Sequence, residues 1–151
     1  MIQRIQTLYL LFAVVASAVS LCLPIGMFGI EGRSVATMYN LWLQTANGGH
    51  DFTPWVLFVI QLLTLPIGLA AIFLYRNRKL QSRLCMFNIL LLVGYYIVYA
   101  VLAFTLRAKY QADFSVCIQT VLPAVALIFD YLGRRAVLSD EKMVRAADRI
   151  R

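Results

Sequence analysis

Four stretches of the chain are almost free of charge. Residues 5–30, 52–75 and 84–106 carry none, and residues 114–133 carry only Asp130, giving runs of 26, 24, 23 and 20 residues. A helix rises about 1.5 Å per residue and a bilayer hydrocarbon core is about 30 Å thick, so each run is long enough to cross. Membrane strands would be about ten residues of alternating polarity, a pattern that is absent here. The spacing therefore predicts an all-α fold, an integral membrane antiparallel four-helix bundle over residues 1–133, with spans at about 5–27, 54–75, 84–106 and 113–133.

Residues 134–151 read as a basic, helical tail. Ser139 suits an N-cap, Asp140 and Glu141 suit the first turn, and Arg145, Arg149 and Arg151 collect towards the end. Glu141 and Arg145 stand in the favourable order for a pair four residues apart. Between the first two spans, roughly Phe28 to Thr53, glycines at 26, 29, 32, 48 and 49 mark turns. Within it, Thr37 to Leu43 reads either as an amphipathic helix in the interface or as a short strand-like cover over the bundle. The segment Arg107 to Asp113 is too short for a domain.

Composition strengthens the membrane reading: 62% of the 151 residues are apolar, 14% are charged, and the mean hydropathy is +0.77. The small trio Ala16, Ser17, Ala18 imitates a signal-peptide cleavage site, but the apolar run continues to Ile25, which suits a retained span better. Charge sets the expected orientation. The N-terminus, the loop 76–83 and the tail hold 11 of the 14 Lys and Arg, against Arg33, Arg107 and Lys109 on the other side. Basic residues near span ends stay cytoplasmic, so both termini are expected inside. The net charge of +7 is then a topology signal. It does not indicate nucleic acid, because the cations sit at span boundaries without interleaved aromatic platforms. Arg76, Arg78, Lys79, Arg83, Arg135, Arg145 and Arg149 are the candidates for contact with anionic lipid headgroups or a protein partner. Pro54 fits the first turn of the second helix, and Trp42, Trp55, Tyr75 and Tyr131 fall near span ends.

The two ends of the chain carry a resemblance. The opening Met1-Ile2-Gln3-Arg4-Ile5-Gln6-Thr7-Leu8-Tyr9-Leu10-Leu11 and the close, residues 139–151 from Ser139-Asp140-Glu141-Lys142 onward, resemble small bacterial four-span membrane proteins classed as a domain-of-unknown-function family. The resemblance implies an inner-membrane location and brings no activity, ligand or catalytic residue.

Candidate chemistry is sparse. Cys22, Cys85 and Cys117 are isolated, unlike the paired cysteines of disulfide-forming membrane oxidoreductases. A disulfide between Cys22 and Cys117 requires their alpha-carbons within about 7 Å. His50 has no second His or Cys at ligand spacing, so neither a metal nor a haem is expected. No cofactor and no catalytic residue is assigned. Polar groups inside spans are costly, and helix periodicity gathers them: Gln61, Thr64 and Gly68; Asn88, Tyr95 and Tyr99; Gln119, Pro123, Ala126 and Asp130. These stripes read as interhelical hydrogen-bonding glue rather than a channel lining, and small pairs such as Ala13 with Ser17 and Gly68 with Ala71 favour close packing. Gln61 and Gln119 lie at similar depth and would bond if their helices are neighbours. Asp130 is expected to pair with Arg134, four residues on, with Asn88 at matching depth.

The expected function is a non-catalytic accessory or scaffold subunit of a membrane complex, engaging a membrane or cytoplasmic protein through the basic loop and tail. A small transporter or lipid-handling protein is the alternative, and a membrane enzyme comes third.

Overall fold

In the computed structural model, residues 2–75 and 77–148 are described. Four helices carry most of them: α1 (Ile2–Cys22), α2 (Trp55–Phe73), α3 (Arg78–Tyr110) and α4 (Val121–Asp148). Between α1 and α2 run β1 (Gly26–Ile30), β2 (Arg33–Met38), β3 (Leu43–Thr45) and β4 (His50–Asp51), and β5 (Asp113–Val116) precedes α4. The strands form one antiparallel sheet of order β4-β3-β2-β1-β5.

The all-α expectation is therefore corrected. The segment 37–43 is strand and turn rather than a helix, and the short connection after α3 supplies an edge strand. Local chemistry explains the sheet. Glu31 and Gly32 both have positive φ, 50° and 80°, the combination a two-residue type I′ hairpin requires. Along β2, Ala36 and Met38 turn inward while Arg33 and Ser34 face out. The inward residues, with Ile25, Phe28 and Leu43, pack on Tyr95, Tyr99 and Leu106 of α3 and Leu57 of α2. The sheet thus caps one end of the helices. Gly26 has a packing reason of its own: a Cβ there would lie 2.5 Å from the Phe114 ring.

Buried positions recur at alternating intervals of three and four. They are 6, 10, 13, 17 and 20 in α1; 57, 61, 64, 68 and 71 in α2; 85, 88, 92, 95 and 99 in α3; and 123, 126, 130, 133, 137 and 140 in α4. This is the seam of helices packing nearly antiparallel. α1 packs on α2 and α4, and α3 packs on the same two, so α2 and α4 stand diagonally. Residue pairings confirm the antiparallel sense, since Gln6 meets Ala136 while Phe12 meets Phe129.

Several span boundaries shift: α1 ends at Cys22, because the chain enters β1 at Gly26, and α3 runs beyond the expected 84–106 at both ends. The fourth stretch begins as β5 and a 3₁₀ turn at Ile118–Thr120, so its helix starts only at Val121. The tail is no separate helix, because α4 runs unbroken past Gly133 and Ser139 sits inside it rather than capping it. α1, α2 and α3 are long and apolar enough to cross a membrane. α4 interrupts its apolar run with Asp130, Arg134 and Arg135.

Candidate functional site

The buried seams carry an unusual share of polar side chains, which fall into three groups along the helix axes. The middle group joins α3 to α4. Asn88 Nδ2 donates to Asp130 Oδ2 at 2.6 Å, and both residues are buried. Gly68 of α2 lies beside Asn88: a Cβ at 68 would stand 3.9 Å from Asn88 Nδ2, an ordinary van der Waals contact. Arg134 does not pair with Asp130. Its Nε is buried without an acceptor among the described residues, so the expected i, i+4 pair is replaced by the cross-helix bond. An apolar layer of Ala13, Leu92 and Ala126 closes this level towards the sheet.

The second group sits where the sheet meets the helices. Asn40, fully buried in the β2 to β3 connection, donates through Nδ2 to the Ser20 carbonyl at 2.8 Å and accepts from the Tyr95 hydroxyl at 2.8 Å. The Ile25 carbonyl accepts from Tyr99 Oη at 2.9 Å, Thr120 Oγ1 at 2.6 Å and the Cys117 amide at 3.3 Å. Tyr96 Oη donates to the Thr120 carbonyl at 2.6 Å. One carbonyl thereby ties the exit of α1 to α3 and to the entry of α4. At the sheet's rim, Asp51 accepts from Thr53 Oγ1 at 2.6 Å and Lys109 Nζ at 3.3 Å. The Thr53 hydroxyl, helped by the Thr53 amide and Lys109, holds the Asp51 carboxyl below its ordinary pKa against the opposing effect of burial.

The third group is at the opposite end. Arg78 at the start of α3 lies 3.2 Å from Asp140 Oδ2 and donates to the Asp140 carbonyl at 3.2 Å. Gln6 Nε2 donates to the Ala136 carbonyl at 3.1 Å. Along α4, Tyr131, Arg134, Arg135, Leu138, Ser139 and Lys142 line an open groove of about 340 Å³. A second groove, apolar and of about 500 Å³, lies between α1, α2 and the β2 to β3 connection, lined by Leu21, Cys22, Tyr39, Trp42, Phe58 and Leu65 among others.

Among the residues expected to tie helices together, Gln61 bonds the Ser17 carbonyl of α1 at 3.4 Å rather than Gln119. The diagonal placement of α2 and α4 prevents that amide pair, and Gln119 lies half-buried in the 3₁₀ turn. Thr64 bonds its own helix, donating to the Gln61 carbonyl at 2.7 Å. Lys79, Arg83 and Arg135 are exposed, whereas Arg78 is engaged by Asp140. Arg76, Arg149 and the Arg145 side chain, with its expected pairing to Glu141, lie outside the described residues. The three cysteines are free, with Cys85 buried and Cys22 exposed. Sequence reasoning missed Asn40, Gln6, Thr120 and Asp140. Gln6 and Asp140 had a signal, their three-four spacing with Leu10, Ala13 and Ser17 and with Val137, Gly133 and Asp130.

The family described as domain of unknown function (DUF4293) matches residues 2–150 of the chain. No curated protein matches it.

Proposed function

The chain belongs to the DUF4293 family, and on that footing we propose that it is a four-span membrane protein acting without catalysis, as an accessory or scaffold subunit of a membrane complex. The observation that carries this reading is the inverted placement of side chains. Gln6, Ser17, Ser20, Gln61, Thr64, Asn88 and Asp130 are buried, while Leu90, Ile97, Val101 and Phe104 are 56–73% exposed. A fold made for water exposes the first set and hides the second, and so wide an apolar girdle fits hydrocarbon as solvent. Among helices in lipid, association relies on close approach of small residues and interhelical hydrogen bonds. α4 joins the other three because Asp130 is engaged by Asn88, while Arg134 and Arg135 sit one turn nearer the end, where long cations reach the interface.

The 11 to 3 division of basic residues supports cytoplasmic termini and an outward-facing sheet, in the inner membrane that the resemblance implies. Several interior polar groups serve cross-helix bonds, which suits a rigid interaction platform better than a transport path. Isolated cysteines and a single histidine leave a membrane enzyme the least favoured reading.

Affinity purification of the full chain from its native membranes in mild detergent, with quantitative mass spectrometry, tests the proposal. One protein recovered in fixed molar ratio supports the scaffold. A co-purifying small molecule without such a protein overturns it in favour of transport or lipid handling, the second reading, which the apolar groove of about 500 Å³ favours.

A further inference from the structure

The groove along α4 combines two features that nothing in the fold uses. Tyr131, Arg134, Arg135, Leu138, Ser139 and Lys142 fall on adjoining strips of one helix surface, since eleven residues return almost to the same azimuth. Three cations thus share one open groove. Among the described residues, none of Arg134, Arg135 and Lys142 forms an ion pair, and the buried Arg134 Nε has no acceptor. Two of the neighbouring carboxyl groups are engaged elsewhere: Asp140 faces Arg78 on α3, and Asp130 accepts from Asn88.

The same face continues towards the sheet as an apolar track. Ile128 and Val121 stand one and two heptads before Arg135 and are both 55% exposed, and Tyr131, 53% exposed, marks the transition. Apolar above and cationic below, with the Tyr131 phenol at the change, is the order of groups in a phospholipid read from tail to head.

We propose that this groove is a binding site for an anionic phospholipid of the cytoplasmic leaflet. The phosphate sits among Arg134, Arg135, Ser139 and Lys142, and an acyl chain lies along Ile128 and Val121. Guanidinium groups recognise phosphate oxygens through forked donors, and basic recesses at the cytoplasmic side of membrane helices suit anionic headgroups. The site rests on the membrane reading above and names a partner for it. A lipid rather than a free anion is favoured because the cations end where the apolar track begins.

Native mass spectrometry of the full chain in mild detergent, titrated with phosphatidylglycerol or phosphatidylcholine of identical acyl chains, reads the site directly. The expected result is one phosphatidylglycerol retained at least tenfold more tightly than phosphatidylcholine. Arg135→Gln, an exposed side chain, should weaken that preference several-fold, and the triple variant Arg134→Gln, Arg135→Gln, Lys142→Gln should abolish it. Lys79→Gln with Arg83→Gln removes exposed cations from α3 and should leave the preference intact. Equal retention of both lipids overturns the site, as does equal loss in the α3 and α4 variants, which would mean a diffuse field. Displacement of the lipid by millimolar inorganic phosphate overturns the lipid assignment. The membrane reading fails separately, if the chain leaves the cell membrane fraction without detergent.

Discussion

Asn88 and Asp130 are 42 residues apart in sequence, yet the Asn88 amide meets the Asp130 carboxyl at 2.6 Å in the buried seam between α3 and α4. The bond places the Asp130 carboxyl against a neutral donor rather than against Arg134. Its two partners should respond unequally to substitution. Asp130→Asn keeps shape and an acceptor, so a loss of about 1 kcal/mol is expected, in the range of hydrogen bonds between membrane helices. Asn88→Leu leaves the carboxyl buried without its donor and should cost more, about 3 kcal/mol. Thermal unfolding in detergent checks the order. Unchanged stability of Asp130→Asn together with abolished substrate or proton flux in vesicles would mean that Asp130 serves transport.

Gly68 governs how closely α2 approaches α1. A Cβ at this position would fall 2.6 Å from Val14 Cγ2. Valine in a helix has one strongly preferred χ1, so Val14 cannot easily turn aside. Gly68→Ala should therefore destabilise by about 1–3 kcal/mol despite alanine's better helix propensity. Val14→Ala in the same chain should recover most of that loss. A double variant no more stable than Gly68→Ala alone would show that the contact is not the cause.

The helices were legible in the sequence because charge-free runs and three-four spacing are local signals. Asn88 and Asp130 could be brought together from depth alone, counting residues inward from Arg83 and Arg134. The sheet was not legible, because the segment around Tyr39 to Leu43 satisfies a helical and an extended pattern equally, and β5 is only four residues long. Its pairing depends on the Ile25 carbonyl and the Glu31-Gly32 turn, contacts between segments up to 95 residues apart. The Gln61 to Gln119 expectation failed for a related reason: depth follows from the sequence, but which helices are neighbours follows from packing.

The β1 to β2 turn is open to improvement. Glu31 takes a left-handed conformation, φ 50°, that side chains other than asparagine and aspartate adopt at a cost, beside Gly32, which adopts its own freely. Glu31→Asn creates the pair most favoured in type I′ hairpins and should raise stability by up to about 1 kcal/mol. Glu31→Val should lower it. Guanidinium or thermal unfolding that ranks Val above Asn would show that the turn is not so strained.

Orientation can be read with reporters. Fusions at Leu80 and after Arg151 should report the cytoplasm, and one inserted at Asn47, beside the exposed Gly48 turn, should report the opposite side. An outward signal at Leu80 or after Arg151 removes the four-span arrangement, since α3 and α4 run antiparallel with Arg78 against Asp140 at one end.

Acid should loosen the sheet end first, and Asp51 explains why. Its carboxyl accepts from the Thr53 hydroxyl at 2.6 Å, the Thr53 amide at 3.1 Å and Lys109 at 3.3 Å, linking β4 to the start of α2 and the end of α3. These partners favour the ionised form, and the folded pKa is lowered, the Thr53 hydroxyl contributing most. A group lowered in the folded state stabilises at pH values above its unfolded pKa, about 3.9 for aspartate, and that contribution disappears as pH falls through the lower folded value. Asp51→Asn keeps an acceptor but has no charge to lose. It should therefore unfold at a lower temperature than the wild type at neutral pH, with the two curves converging below about pH 4. Melting temperatures of both proteins across this interval decide the matter: curves that stay parallel to the acid end would mean that Asp51 contributes nothing through its charge.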